Sequence, residues 1–300
     1  MAQPNKSFSG AAVETIRGMR VHQWLKNLLI FVPAATSHRI LEWGVFRAVF
    51  LAFFSFSLCA SAGYLVNDLF DLQADRKHPE KCRRPFASGA LSPPYGIAMA
   101  VMLLAASIGF GLMLSTRFVL FLCGYLMLSA TYSLALKTVP LIDIFLLAFF
   151  YTFRIFLGGE AAGVTVSFWL AAFSTFFFYS LATVKRFTEL QSAIRLHGGT
   201  ALRRGYRTED LSMLGLWGTA SGCTSAVVLA LYINSSEITQ LYHRPAFLWP
   251  VCLALLYWLN RIWMLANRDE LPYDPILFAV KDWPSYVVAA FVAVSIFLAI

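Results

Sequence analysis

Apolar stretches close to twenty residues long recur along almost the whole chain, and no other feature constrains its fold so tightly. A helix of that length crosses a hydrocarbon core of about 30 Å. Inside that core only a helix or a closed barrel can satisfy its own backbone hydrogen bonds. The pattern predicts about nine spans, near residues 24–37, 45–66, 95–114, 118–136, 140–158, 166–185, 211–233, 246–265 and 284–300. Charged residues make up only 13% of the chain, against about 25% in a soluble domain. No soluble domain of useful size fits between the spans. The expectation is an all-α, polytopic membrane helix bundle forming a single transmembrane domain over residues 1–300.

The net charge is +8. In a soluble protein that surplus would suggest nucleic acid. Here the basic residues sort by loop instead. When the N-terminal segment is grouped with every second loop, all but five of the 24 Lys and Arg fall on that side. Arg39, Arg47, Arg117 and Arg244 fall on the other side, and Arg154 stands inside a span. The positive-inside rule then places the N-terminus and the long loops, near 67–94, 186–210 and 266–283, in the cytoplasm. The expected location is the inner or plasma membrane, with no nucleic-acid partner. Residues 1–20 lack the apolar core of a cleavable signal peptide. The five cysteines form no CxxC or Cys/His cluster, so neither a zinc site nor a disulfide framework is expected.

The second span runs into Asn67-Asp68-x-x-Asp71-x-x-x-Asp75. On a helix, carboxylates three and then four residues apart share one stripe. Ionised groups so placed repel one another, and a divalent cation is the simplest counterweight. Hard oxygen donors suit Mg²⁺, whose shell is commonly completed by substrate phosphates. Arg76, Lys77, Lys81, Arg83 and Arg84 follow at once and could hold phosphate oxygens that the metal leaves uncovered. A solvated helix end with positive-inside residues accounts for these cations as well, but not for the regular carboxylates at a membrane boundary.

The acidic motif, followed by Arg84-Pro85-x-Ala87-x-Gly89, resembles the first signature of the UbiA-type membrane prenyltransferase superfamily. The layout of spans is similar too, and the resemblance covers essentially the whole chain. It implies that Asp68, Asp71 and Asp75 coordinate Mg²⁺ on a substrate diphosphate, with Asn67 beside them. Most members carry a second aspartate pair after the sixth span. This chain instead reads Tyr179 to Leu190 with Lys185, Arg186 and Glu189 at that place. That departure is similar to one branch, the decaprenyl-phosphate phosphoribosyltransferases. Gln23-Trp24-x-Lys26-Asn27, Lys137-x-x-Pro140-x-x-Asp143, and Arg154 with Gly158-Gly159 are further points of resemblance.

The resemblance implies transfer of a 5-phosphoribosyl group from phosphoribosyl diphosphate to a polyprenyl phosphate in the bilayer, for a lipid-linked pentose of the cell envelope. Mg²⁺ is the expected cofactor. Lys26, Arg84, Lys185 and Arg186 are the expected phosphate ligands, and the substitution of cations for the second aspartate pair is expected to leave a local surplus of positive charge. Lys81, Arg83, Lys137, Asn67, Asp143, Arg154, Tyr179 and Glu189 complete the candidate substrate site. An anionic lipid phosphate needs no strong general base, which agrees with the lack of a Ser or His triad.

Each assignment has a plainer counterpart. Lys26 beside Trp24 reads equally as an interfacial anchor, Lys185 and Arg186 as topology signals, Glu189 as a local salt-bridge partner, and Arg154 as a snorkelling residue. Asp143 and Arg154 share a helix face but lie about 16 Å apart along it, too far to pair. Arg203, Arg204, Tyr206 and Arg207 form either a lid or a solvated loop. Asp274 and Asp282 either approach the site or serve turns. At the level of function, the alternative enzyme is an isoprenyl-diphosphate:aromatic prenyltransferase, which shares the first motif. A secondary transporter using Asp143 and Arg154 is the alternative from another class, although no internal repeat supports it. A homo-oligomer is compatible with all three.

Overall fold

A computed structural model describes residues 8–77, 81–197, 205–271 and 274–300. All regular structure among them is helical. The α-helices are α1 (Phe8–Met19), α2 (Val32–Thr36), α3 (Trp43–Phe70), α4 (Leu72–Arg76), α5 (Pro93–Leu112), α6 (Thr116–Leu134), α7 (Ile142–Ala162), α8 (Phe168–His197), α9 (Asp210–Ile233), α10 (Ile238–Leu241), α11 (Trp249–Asn267), α12 (Pro275–Ala279) and α13 (Trp283–Ala299). Seven helices among the described residues are long and apolar enough to cross a membrane: α3, α5, α6, α7, α8, α9, and α11 with the 3₁₀ turn before it. The seventeen-residue α13 is shorter. At about 1.5 Å per residue it still reaches the lower limit for a span.

Two differences from the sequence expectation matter for the site. The predicted first span is not one α-helix. Residues Val21–Phe31 form a 3₁₀ helix that passes into the short α2. Three residues per turn bring Trp24 and Asn27 onto one face. There Trp24 Nε1 donates to Ser61 Oγ (2.9 Å), and Asn27 Nδ2 donates to Ser57 Oγ (2.9 Å), one α-turn apart on α3. These two bonds fix the tighter winding. The second difference is that α8 continues to His197, through residues expected to start a loop at 186. Arg186, Phe187 and Leu190 are all buried there, so the helix carries interior side chains past the apolar run.

The chain's internal contacts group into two units. The first comprises Met1–Leu134 with Arg154–Thr165, and the second comprises Ala135–Phe153 with Val166–Ile300. In the first, α3 packs on α5 through a reciprocal clasp. Ser55 Oγ donates to the Ser107 carbonyl and Ser107 Oγ to the Ser55 carbonyl, both at 2.7 Å. Small hydroxyl residues let helix backbones approach closely in a lipid environment. Gly158 serves the same end, because a Cβ there would lie on the Ile30 backbone. In the second unit, Ser180 Oγ donates to the Gly218 carbonyl (2.7 Å) and Ser221 Oγ to the Phe176 carbonyl (2.8 Å), tying α8 to α9. The Trp263 indole N–H donates to Ser180 Oγ (3.1 Å) and brings in α11.

Candidate active site

The acidic motif lies in the first unit, where α3 ends and α4 begins. Asp71 is the residue shared by the two helices, with φ −83° and ψ 1°. Its N–H still donates to Asn67, and its carbonyl accepts from Asp75, so the chain turns without losing helical register. Asp68 and Asp75 are each 3% exposed. One nitrogen of Arg84, Nη1, donates to Asp68 Oδ1 at 3.0 Å and to Asp75 Oδ2 at 2.7 Å. Asp68 Oδ1 also accepts from Arg20 Nη2 at 2.6 Å. Asp71 is half-buried, and its Oδ2 accepts a longer bond from Asn67 Nδ2, at 3.3 Å.

The backbone bonds keep Asp71 in helical register between Asp68 and Asp75. Asp68 and Asp75 come close enough to share one cationic nitrogen, and Asp71 accepts from Asn67 at the junction of α3 and α4. Among the described residues no group of three or more His, Cys, Asp or Glu side chains is gathered as a metal site. The donor set nevertheless fits a hard divalent ion. The ligand atoms are carboxylate oxygens, two of them buried and sharing a positive group, and the third stands next in the chain. Arg20 and Arg84 are about a quarter exposed, which leaves both guanidiniums access to an anionic ligand.

Arg20 is a residue that the motif does not announce. Its partner is 48 positions away. It adopts the left-handed conformation (φ 52°, ψ 46°) between α1 and the 3₁₀ helix. Its guanidinium carbon stands 4.8 Å from the centre of the Tyr64 ring. A non-glycine residue in that region is uncommon and held by its surroundings. Here the ion pair and the aromatic face hold it.

Arg154 also belongs to the first unit, and it does not snorkel. It is 5% exposed. Its Nε donates to Asn27 Oδ1 at 2.9 Å. The guanidinium lies 5.0 Å from the Phe56 ring centre and 5.9 Å from that of Tyr125. Asn27 therefore links Arg154 to Ser57 on α3. Lys26 is buried on the same 3₁₀ helix. Lys81 is half-buried and Arg83 exposed, in the 3₁₀ turn Lys81–Arg83.

The second unit gathers a separate set. Asp143, in the first turn of α7, has no exposed surface. Its Oδ2 accepts from Arg186 Nε on α8, and its Oδ1 accepts from the Tyr206 hydroxyl. Arg186 Nη1 also donates to Glu189 Oε2, one turn further on α8. Tyr206 in turn accepts from the Leu141 backbone N–H at 2.9 Å. Gly205 makes this approach possible: its φ is 73°, and a Cβ there would meet the Thr138 carbonyl. Burial and the hydrogen bond to Asp143 raise the Tyr206 phenol well above its ordinary range, so it stays a neutral donor.

These contacts correct the expectation of surplus positive charge on α8. Arg186 is 2% exposed and balanced by two carboxylates. The accessible charge next to it belongs to half-buried Lys185, with Glu189 28% exposed on the same helix. Tyr206 is buried rather than solvated, and nothing in its spacing signals Asp143, 63 residues earlier. Arg207 is exposed, and Arg203 and Arg204 lie outside the described residues. Lys137 is half-buried in the 3₁₀ turn Leu136–Thr138. Tyr179 packs on Phe145 with ring centres 4.9 Å apart. Asp274 caps α12 by accepting from the N–H groups of Ile276 and Leu277. Asp282 caps α13 and forms a two-pronged pair with Arg261, at 2.7 and 2.9 Å. Both aspartates thus have structural roles as caps.

Comparison with known proteins agrees with this architecture. The UbiA prenyltransferase family matches residues 28–281. The chain is 38% identical to the Sinorhizobium fredii protein y4nM over 94% of its own length; it spans just over half, 55%, of that protein. It is 35% identical to the nodulation protein NoeC of Azorhizobium caulinodans, over 89% of this chain and 87% of that one. It is 33% identical to the decaprenyl-phosphate phosphoribosyltransferase of Corynebacterium glutamicum, over 79% and 71% of the two chains. Among solved structures, a UbiA homolog from Archaeoglobus fulgidus bound to GPP and Mg²⁺ has the same fold, with a TM-score of 0.69 over 94% of this chain and 99% of that one, at 15% identity. With its apolar helices and its acidic motif at the end of α3, the chain belongs to the UbiA prenyltransferase family and is an integral-membrane transferase.

Proposed function

We propose that this transferase moves a 5-phosphoribosyl group from phosphoribosyl diphosphate to a polyprenyl phosphate, in the inner or plasma membrane and with its chemistry on the cytoplasmic side. One observation carries the choice of donor. Where a second aspartate pair is expected after the sixth span, the chain has Lys185, Arg186 and Glu189 on α8, with Arg186 buried against Asp143. A second metal site has lost its ligands, and a cation and a carboxylate suited to a charged sugar stand in their place. The likeness to decaprenyl-phosphate phosphoribosyltransferases at 31–33% identity supports the same donor.

The roles divide by chemistry. Asp68, Asp71 and Asp75 hold Mg²⁺, which when bound supplies neutralisation of the diphosphate leaving group. Arg20, Arg84, Lys81, Arg83 and Lys26 hold phosphate oxygens. Lys185 and Lys137 hold the remaining phosphate of the sugar, and Glu189 accepts from a ribose hydroxyl. Asp143, Arg186 and Tyr206 keep Glu189 and Lys185 in place. In the reaction the bond from ribose C1 to the diphosphate oxygen breaks, and the diphosphate leaves with the electron pair. A lipid-phosphate oxygen forms the new bond to C1. That oxygen is already ionised near neutral pH, so no side chain needs to remove a proton.

Equilibrium binding of labelled phosphoribosyl diphosphate to the detergent-purified protein with Mg²⁺ tests the donor. Unlabelled phosphoribosyl diphosphate should displace the label, and an isoprenyl diphosphate at the same concentration should not. Binding of the isoprenyl diphosphate alone would move the assignment to an ordinary prenyl donor.

A further inference from the structure

The first unit contains a second charged site, at the other end of α3 from the acidic motif. A cavity of about 190 Å³ is lined by Gly44, Arg47 and Leu51 of α3, Met113 and Ser115 after α5, and Glu160 in the last turn of α7, among others. Arg47 and Asp68 are twenty-one residues apart on one continuous helix, roughly 30 Å at 1.5 Å per residue. That is the thickness of a hydrocarbon core. The cavity therefore opens at the membrane face opposite the acidic motif.

Its surroundings mark headgroup depth. Trp43 (74% exposed) stacks on Phe46 with ring centres 6.1 Å apart, and Phe46 stacks on Phe50 at 5.8 Å. Exposed aromatics at one end of a span sit at the membrane–water interface. Just before α3, Arg39 and Glu42 form an exposed pair through two bonds of 2.9 Å. Gly44, Arg47 and Leu51 of the cavity alternate along α3 with these aromatics, so the cavity lies at their depth.

An exposed cation, Arg47, and a half-buried anion, Glu160, line the same cavity. Glu160 Oε1 accepts from Ser115 Oγ at 3.0 Å, and that same oxygen of Ser115 accepts from the Phe118 N–H, capping α6. The carboxylate is thereby held in one place. It stands at a helix C-terminus, where the backbone dipole disfavours an anion. Arg47 lines the same cavity but forms no ion pair with it. An anion and a cation around one small cavity at headgroup depth suit a dipolar ligand. We infer that this cavity holds the headgroup of a zwitterionic phospholipid with a primary ammonium, its phosphate on Arg47 and its ammonium on Glu160. The N–H donors matter: a carboxylate already engaged by Ser115 accepts from an ammonium, whereas a trimethylammonium offers it no N–H. The volume suits a headgroup and is well below that of a drug-sized ligand site, about 300 Å³ or more.

Native mass spectrometry of the full chain tests this directly. Phosphatidylethanolamine, phosphatidylglycerol and phosphatidylcholine are offered in equal amounts to delipidated protein. Phosphatidylethanolamine should be retained at least about fivefold over the others, a gap of about 1 kcal/mol. Glu160→Gln keeps the acceptor for Ser115 and should abolish the preference. Gly44→Leu should block all retention, because Gly44 lines the cavity and a Cβ there meets nothing within 4 Å. Both variants should keep wild-type thermal stability, which separates loss of the lipid from loss of the fold. Equal retention of the three lipids by the wild type, or an ethanolamine preference that survives in either variant, would overturn the inference.

Discussion

Arg186 on α8 is bound to Asp143 on α7, 43 residues earlier, and the two side chains are 2% and 0% exposed. Removing one member of a buried ion pair leaves the other uncompensated and costs about 3–5 kcal/mol. Asp143→Asn preserves the shape and removes the charge, and Glu189 alone then balances Arg186. The thermal midpoint of the purified protein should fall by several degrees, and Asp143→Asn/Arg186→Gln should recover part of the loss. A double variant less stable than Asp143→Asn would show that Arg186 contributes through contacts other than this pair.

Tyr206→Phe removes a donor to Asp143 and an acceptor for the Leu141 N–H in one change. Two such bonds are worth about 1–3 kcal/mol together. The phenol is shifted upward by burial and by Asp143. A group with a raised folded pKa contributes stability that is complete below its unfolded value, about 10 for tyrosine, and lost as pH rises through the folded value. The difference between wild type and Tyr206→Phe should therefore be constant from pH 6 to about pH 9 and shrink only above that. Melting curves across this range check it, and a difference that vanishes between pH 6 and 8 would contradict the assignment.

Two glycines should answer oppositely to the same substitution. A Cβ at Gly158 would fall on the Ile30 backbone, which cannot move as a side-chain tip can. Gly158→Ala should destabilise by about 1–3 kcal/mol. Gly109 lies in α5 with nothing within 4 Å of the added atom. Gly109→Ala should stabilise by about 0.5–1 kcal/mol, because alanine loses less backbone entropy in a helix. Melting the two variants in one detergent distinguishes close packing at Gly158 from a merely helical role.

Much of this architecture was legible in the sequence. Hydropathy located the long helices α3, α5 to α9, α11 and α13, because their length is a physical requirement of the bilayer. The acidic motif was legible because helical spacing is local: Asp68 and Asp75 share Arg84, as their positions require. What the sequence hid depends on distant partners. The 3₁₀ winding of Val21–Phe31 depends on Ser57 and Ser61, which lie 30 residues beyond Asn27 and 37 beyond Trp24. The extension of α8 follows from burial of Arg186, which looked like a topology signal. Arg20 and Tyr206 carry no motif of their own and gain significance only from the carboxylates they reach.

The identity of the transferred group is read directly from the product. Purified protein, Mg²⁺ and polyprenyl phosphate are incubated with labelled phosphoribosyl diphosphate, and the lipid fraction is analysed by mass. A polyprenyl phosphate heavier by one phosphoribosyl group should form, absent with EDTA and reduced at least about a hundredfold in Asp68→Asn, in line with losing a charge-stabilising group (about 10²–10³). A preparation that forms no such lipid but prenylates an aromatic acid from an isoprenyl diphosphate would contradict the assignment.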